Sequence, residues 1–200
     1  STDSYEINLD KLFGGGVTWE NDIWNLRISY SQSKAGLENN TIKPLEQALH
    51  NASLAGWPAA GNFTNLAIDN KMVRYYTAGV SYDDADWLIQ SELGFVDIDS
   101  LLTPGTVSGY LSIGRKLGAV TPFVVGAWTK ATDDKLTIPT PSIAAYIPLQ
   151  QISQYAFNQF YVAQHTLSIG ARWDVLPKVA LKAQWDKTWV DQYGSFLFNK

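Results

Sequence analysis

The sequence predicts an all-β fold, an antiparallel up-and-down β-barrel with about eight strands in one domain spanning residues 1–200. Three observations lead to this prediction. Apolar and polar residues alternate with a period of two along most of the chain, short polar connections alternate with long ones, and aromatic residues make up 13% of the composition. Each of these observations is typical of a barrel that crosses a membrane with its strands.

The clearest alternation lies in residues 23–33. One face of this strand carries Trp24, Leu26, Ile28 and Tyr30, and the other carries Asn25, Arg27, Ser29 and Ser31. The same pattern recurs in residues 76–82, 87–95, 164–173 and 179–188, and more weakly in 107–116 and 120–130. The first strand is predicted at residues 17–20, extending backward through 5–9 with a break at the glycines 14–16.

The connections between these strands alternate strictly in length. Short polar turns are predicted near Asn21, Asp84, Gly118 and Val175. Long segments separate them, at about residues 34–71, 97–106 and 131–162. In an up-and-down sheet this order places all short turns at one end and all long loops at the other, which is the asymmetry of outer-membrane barrels. No stretch approaches the roughly 18 apolar residues that a membrane-spanning helix needs.

Two of the long segments contain helical patterns. Residues 43–54 have apolar residues at helical spacing and are predicted to form a short amphipathic helix, which Gly56, Trp57 and Pro58 end. Residues 147–160 are predicted to hold a second short helix or a loop that folds inward. In a pore, an inward loop would narrow the lumen, whereas otherwise these loops cover the outer rim.

The aromatic residues fall into two groups along the strands. Trp19, Trp24, Trp87 and Trp173 lie beside the short turns, whereas Tyr30, Trp185 and Trp189 lie toward the opposite strand ends, together with Phe95 and Trp128. Tryptophan and tyrosine concentrate at the two water–lipid interfaces of membrane proteins. The two groups therefore predict a pair of interfacial aromatic belts.

Polar and charged side chains take the opposite parity from the apolar stripe. The candidates are Arg27, Gln90, Glu92, Lys116, Arg172, Lys182, Gln184 and Asp186. A lysine or arginine facing lipid near the bilayer centre costs about 2–4 kcal/mol, so these residues are predicted to line the barrel interior. In a wide barrel such an interior is a channel, and in an eight-stranded barrel it is a closed polar core.

Other functional classes find little support in the sequence. A net charge of −4 and a pI near 5.1 argue against a nucleic-acid partner, and the absence of cysteine excludes disulfides and cysteine-based zinc sites. The two histidines, His50 and His165, are far apart, and no Gly-x-Ser-x-Gly motif occurs. The aspartates at 83–86 and 97–99 lack the spacing of a calcium loop. We therefore predict a protein that is not an enzyme and that uses no cofactor or metal.

Two runs resemble hairpins of known proteins, GVTWENDIWNLRISYSQSK and TLSIGARWDVLPKVALKAQWDKTWVD. They are similar to hairpins of Gram-negative outer-membrane porins of the phosphate-selective or general type. The resemblance implies a water-filled channel for passive diffusion of small hydrophilic solutes or ions, surrounded by outer-membrane lipid and lipopolysaccharide. It also allows a homo-oligomer. Such barrels have about sixteen strands, so the chain is expected to supply part of one.

Within that reading, Arg27, Arg172 and Lys182 are candidate wall cations, giving a mild preference for anions that Glu92 and Asp186 oppose. Two alternatives remain open. One is a small eight-stranded outer-membrane barrel with a structural or adhesive role and a filled interior. The other is a soluble ligand-binding β-barrel in which the apolar stripe faces inward.

Overall fold

The computed structural model describes residues 6–38, 43–64, 68–100 and 103–191. Eight strands and two α-helices make up most of this part of the chain. The strands are β1 (Glu6–Glu20), β2 (Trp24–Glu38), β3 (Ile68–Asp83), β4 (Trp87–Ile98), β5 (Thr106–Arg115), β6 (Val120–Ala131), β7 (Ala163–Leu176) and β8 (Val179–Val190). The helices are α1 (Lys43–Leu54) and α2 (Ile147–Asn158), with short 3₁₀ segments at Pro58–Phe63 and Ala144–Tyr146.

All eight strands lie in one sheet in the order β1 to β8, and every neighbouring pair is antiparallel. The predicted all-β, up-and-down topology is therefore confirmed, and the four short turns lie together at one end, which we call the turn end. The long connections lie at the opposite loop end. The sheet is open, because no described residue of β1 pairs with β8. Neither a closed barrel nor a total of sixteen strands is seen in the described residues.

Two of the predicted long connections, those at 34–71 and 97–106, are shorter than expected. The segment predicted at 34–71 is too long, because β2 continues to Glu38 and β3 begins at Ile68. Polar residues such as Lys34 end the apolar alternation, yet main-chain pairing continues through them, with Lys34 opposite Asp10 on β1 and Met72 on β3. The prediction failed there because side-chain periodicity measures burial, whereas a strand ends where its backbone pairing ends.

The first strand differs from its prediction in one detail. The break expected at the glycines 14–16 is absent, and the irregularity lies between Asp10 and Phe13, where Lys11 has a φ of 53°. A Cβ added at Gly14 would lie 2.9 Å from the Cβ of Ser31. This glycine therefore allows β1 to approach β2 closely, and the bulge that bends the strand sits three residues earlier.

Side chains of the turn residues fix the first two hairpins. The Oδ1 atom of Asn21 accepts hydrogen bonds from the backbone N–H groups of Ile23 and Trp24, at 3.0 and 2.7 Å. Asp84 repeats this arrangement with the N–H groups of Asp86 and Trp87. Hydrogen bonds from the Tyr82 hydroxyl and from these two N–H groups hold the pKa of Asp84 below its ordinary value.

Acid is expected to weaken the β3–β4 turn through Asp84. A carboxylate whose pKa is lower in the folded state adds stability above its unfolded pKa of about 3.9, and that stability is lost as pH falls through the folded value. Denaturant unfolding from about pH 6 to pH 2 should therefore show an acid-side loss that Asp84→Asn reduces. The control is Asp22→Asn in the first turn, since Asp22 makes no hydrogen bond or salt bridge in the described chain. Equal profiles for both variants would contradict this expectation.

At the loop end, two connections fold together into a small body that we call the loop lobe, formed by residues 43–63, 136–138 and 144–158. Its buried core consists of Leu49, Ala52, Trp57, Ala60, Phe63, Ile138 and Phe157. The predicted helix at 43–54 is confirmed with those bounds, and the one predicted at 147–160 ends two residues earlier. Among the described residues this lobe holds the main cluster of buried apolar side chains.

Contacts between the two connections hold the loop lobe together. The ring of Phe63 stacks on Phe157 with centroids 5.8 Å apart, and Trp57 stacks on Tyr146 at 6.2 Å. Within the connection between β6 and β7, the Gln154 side chain accepts a hydrogen bond from the backbone N–H of Ile138 at 2.7 Å. The connection between β2 and β3 is thus joined to the one between β6 and β7, although β4 and β5 lie between β3 and β6 in the sheet order.

Candidate functional site

The sheet has two faces of opposite character, which we call the apolar face and the polar face. Residues directly opposite on neighbouring strands share a face. One register row of the apolar face contains Trp24, Tyr82, Ile89, Ile113, Val124, Ile169 and Trp185. Ile28, Leu181 and Trp185 on this face are 68%, 56% and 60% exposed, and no described element covers them.

Aromatic side chains lie at both limits of the apolar face. Toward the loop end, Tyr30, Tyr76 and Phe95 follow one another on β2, β3 and β4, with centroids 4.9 and 5.9 Å apart. On β6, β7 and β8, Trp128, His165 and Trp189 are likewise directly paired. Beside the turns lie Trp19, Trp24, Trp87 and Trp173. Trp185, which the sequence placed with Trp189 in one belt, lies in the middle of β8, four residues nearer the turn than Trp189.

Charged residues of the apolar face lie toward its two ends. At the loop end Arg74 and Asp97 are opposite each other and form a 2.8 Å salt bridge, and Lys187 lies near Trp189. At the turn end the Arg115 guanidinium lies 4.6 Å from the centroid of Trp87. On the apolar face of β4 the five positions from Trp87 to Phe95 carry no charge, and they extend over roughly 27 Å of strand at about 3.4 Å per residue.

Seven of the eight predicted lining residues lie on the polar face. They are Arg27, Gln90, Glu92, Arg172, Lys182, Gln184 and Asp186. Lys116 is the exception, because β5 ends at Arg115 and the chain has already entered a turn. Its ammonium group binds the carboxylate of Asp83 and the carbonyl oxygen of Asp84 at the turn end. Lys116 therefore lies in the turn at the rim of the sheet rather than on a strand.

The candidate wall cations have different surroundings. Arg172 lies directly opposite Lys182, and its NH2 atom forms a 2.8 Å salt bridge with Asp174. The Lys182 ammonium lies 4.7 Å from the ring centroid of Phe123. The Arg27 side chain makes no hydrogen bond or salt bridge within the described ranges. Among the three candidate wall cations, Arg27 is therefore the one whose charge has no neighbouring group of the described chain to interact with.

Two hollows lie on the polar face. A hollow of about 270 Å³ is lined by side chains of β2, β3, β4 and β5, and a neighbouring one of about 260 Å³ extends to β7. Both hollows share Tyr75, Glu92 and Tyr110. The two tyrosines were not predicted as lining residues, although their position in the alternation points to this face: Tyr110 alternates in phase with Ser108 and Ser112 on β5.

The loop lobe lies on the polar side of the sheet at its loop end. A cleft of about 460 Å³ separates it from the strands, lined by Lys71 of β3 and Ile98 of β4, which have the parity of the polar face. From the lobe side, Leu136, Phe157 and Asn158 complete its walls. The lobe therefore lies next to the loop end of the polar face.

Catalytic and metal-binding arrangements receive no support from the described ranges. His165 faces Asp191 at 3.5 Å on the apolar side, and His50 lies on α1 in a different part of the fold. No group of three or more potential metal ligands is found among the described residues. In the same part of the chain, neither helix has the length and hydropathy required to cross a membrane.

Comparison with protein-family models, with curated proteins and with solved structures finds no match for this chain. What is established is the fold class, an eight-stranded antiparallel meander with one apolar and one polar face. The resemblance of its hairpins to porins stays a prediction.

Proposed function

We propose that this protein is an outer-membrane β-barrel channel through which small hydrophilic solutes diffuse passively. One observation carries the proposal. The apolar face of the sheet is exposed, whereas the polar face contains the hollows. A water-soluble β-domain has the reverse arrangement, with apolar side chains packed inside.

The exposed apolar face needs a covering. Soluble monomers rarely expose contiguous apolar patches of more than a few hundred Å², whereas this face extends over all eight strands. Its aliphatic middle and its aromatic limits match the order of side chains that a bilayer requires. The roughly 27 Å over which the apolar face of β4 carries no charge is, once the strand is tilted, close to the apolar band of about 25 Å in membrane barrels. Lipid is the covering that we propose.

The two open edges of the sheet lead to a proposal about closure. Unpaired strand edges in lipid leave backbone N–H and C=O groups without partners, at several kcal/mol for each group. We propose that further strands pair with β1 and β8 and complete a wider barrel. They belong to a second copy of the chain or to sequence outside these 200 residues.

The charges of the polar face favour a wide, water-filled interior over a small closed barrel. An eight-stranded barrel leaves only enough room for its own side chains. In such a dry interior Arg172 and Lys182, directly opposite each other, would be buried as like charges at a high cost. Water in a wider lumen screens both groups.

A second candidate is a small eight-stranded barrel that binds partners at its loop end. The loop lobe favours it, because its two connections form one packed core rather than separate flexible loops. In that case β1 pairs with β8 and no conductance is expected. Both candidates share an outer-membrane location with lipid and lipopolysaccharide as surroundings, and neither requires an enzymatic reaction.

Ion selectivity tests the channel proposal. Replacing Arg27, Arg172 and Lys182 together by glutamate in the intact protein should move single-channel selectivity from weakly anion-preferring toward cations, since fixed charges set the local ion concentration. The shift should shrink at 1 M salt, where the Debye length falls to about 3 Å. Planar-bilayer reversal potentials measure it. Lys178→Glu, which changes an exposed turn lysine off the polar face, is the control.

The possible results separate the candidates. Correctly folded protein that gives no conductance would contradict the channel and favour the small closed barrel. A conducting triple variant with unchanged selectivity would show that these three residues do not set selectivity, and would direct attention to the loop lobe.

A further inference from the structure

Two opposite charges face each other across a glycine on the polar face. In one register row, Arg27 of β2 lies opposite Gly79 of β3, and Gly79 lies opposite Glu92 of β4. The backbones of Arg27 and Glu92 are therefore two strand spacings apart, or about 10 Å. Because position 79 has no side chain, no third side chain lies between the two charged residues in this row.

Neither charged side chain has a partner among the described residues. In the part of the chain that the structure describes, Arg27 and Glu92 form no salt bridge with each other or with any other residue, and no side-chain hydrogen bond. Other charges of this face do have neighbours, as the salt bridge of Arg172 with Asp174 and the hydrogen bond between Gln184 and Asp186 show. The Arg27–Glu92 arrangement is thus a pair of opposite charges with an open gap.

The gap is part of the 270 Å³ hollow. A Cβ placed on Gly79 would have the Cγ and Oε2 atoms of Glu92 as its nearest side-chain contacts, at 3.7 Å, so the Glu92 side chain leans over the glycine. Tyr75 and Tyr110 stand beside Glu92 and line the same hollow. An aromatic face attracts an ammonium group, and this attraction adds to that of the carboxylate.

We propose that this hollow binds a small zwitterionic solute of the α-amino acid class, with its carboxylate toward Arg27 and its ammonium group toward Glu92. The inference rests on the proposed channel, in which the polar face is wet and accessible. Arginine recognises a carboxylate through its planar fork of N–H donors, and Glu92 between two tyrosines offers the complementary site for the ammonium. The volume suits a solute of amino-acid size.

Other ligand classes satisfy only half of the site. A free anion would be attracted by Arg27 but repelled by Glu92. A free cation would be attracted by Glu92 but repelled by Arg27. A neutral polyol would leave both charges without an ionic partner, at the cost of displacing their water. Only a ligand that carries both charges neutralises both residues at once.

Binding to the refolded full chain in detergent micelles tests the proposal without requiring conductance. The probes are L-alanine, lactate and glycerol, which are similar in size but carry both charges, one negative charge and no charge. Saturation-transfer NMR titrations should give L-alanine at least tenfold tighter binding than lactate or glycerol. Arg27→Gln and Glu92→Gln should each weaken L-alanine binding at least tenfold.

Two further variants complete the design. Lys178→Gln, at an exposed turn position off the polar face, should leave L-alanine binding unchanged. The exchange variant R27E/E92R should recover most of the affinity, because a zwitterion can bind in the reverse orientation. Equal binding of the three probes, or an unchanged affinity in Glu92→Gln, would overturn the proposal. L-alanine binding without conductance would refute the channel but keep the site, and conductance without binding would do the reverse.

Discussion

Replacing Leu93 by arginine is expected to destabilise the bilayer-inserted protein by about 2–4 kcal/mol, the cost of a lysine or arginine facing lipid near the bilayer centre. Leu93 lies in the middle of β4 on the apolar face and is 54% exposed. Its register partners, Ala78 and Gly109, supply no charge that could neutralise the arginine. In a water-soluble protein, a surface change of this kind stays within about 0.5 kcal/mol.

The matched control lies three residues away on the same strand. Gln90 is on the polar face, so Gln90→Arg should change the free energy of unfolding by less than about 0.5 kcal/mol. Urea unfolding of protein inserted into phospholipid vesicles, followed by tryptophan fluorescence and by heat-dependent electrophoretic mobility, measures both variants. Equal effects of the two changes would remove the main support for a lipid-facing surface.

Truncating Phe157 to alanine is expected to destabilise the loop lobe by about 3–5 kcal/mol, the usual cost of removing a buried aromatic ring. Phe157 is 3% exposed and stacks on Phe63, the contact that joins the two connections. Without the ring, α1 and α2 lose much of their common core. The sheet should remain intact, because its eight strands pair through the backbone without the lobe.

Phe160→Ala is the control for this prediction, because Phe160 carries the same ring three residues later at 54% exposure. Its loss should cost less than about 1 kcal/mol. Amide hydrogen exchange should show faster exchange in 43–63 and 144–158 for Phe157→Ala, with little change in the strands. If the strands and the lobe lose protection together, the lobe is not a separate cooperative unit.

Local side-chain patterns predicted much of the architecture. The alternation of Trp24, Leu26 and Ile28 with Asn25 and Arg27 placed a strand correctly and separated its two faces. Asn21 and Asp84 marked turns whose side chains do cap the neighbouring N–H groups. The helix at 43–54 was predicted with its observed bounds. These features depend on residues close together in the chain, which is why the sequence reveals them.

The predictions were less accurate where the residue type suggests one position in the fold and the backbone pairing produces another. Lys116 has the parity of a wall residue, but the turn after β5 brings it to Asp83, a carboxylate 33 positions earlier in the chain. The glycines 14–16 suggested a break, whereas Gly14 and Gly16 accommodate the close approach of β2. A glycine indicates only that a side chain is absent at that position. Both a strand break and the close approach of two strands can require this absence.

The sequence by itself determined the strand order, the common end of the short turns and the division into an apolar and a polar face, because period-two alternation and connection length are local properties. Only the tertiary structure decided which residues meet. Cross-strand register sets Arg27 and Glu92 on either side of Gly79, and packing between distant connections brings Phe63 to Phe157. Both arise from contacts between segments far apart in the chain, and a shift of one residue in pairing would move every side chain of a strand to the other face.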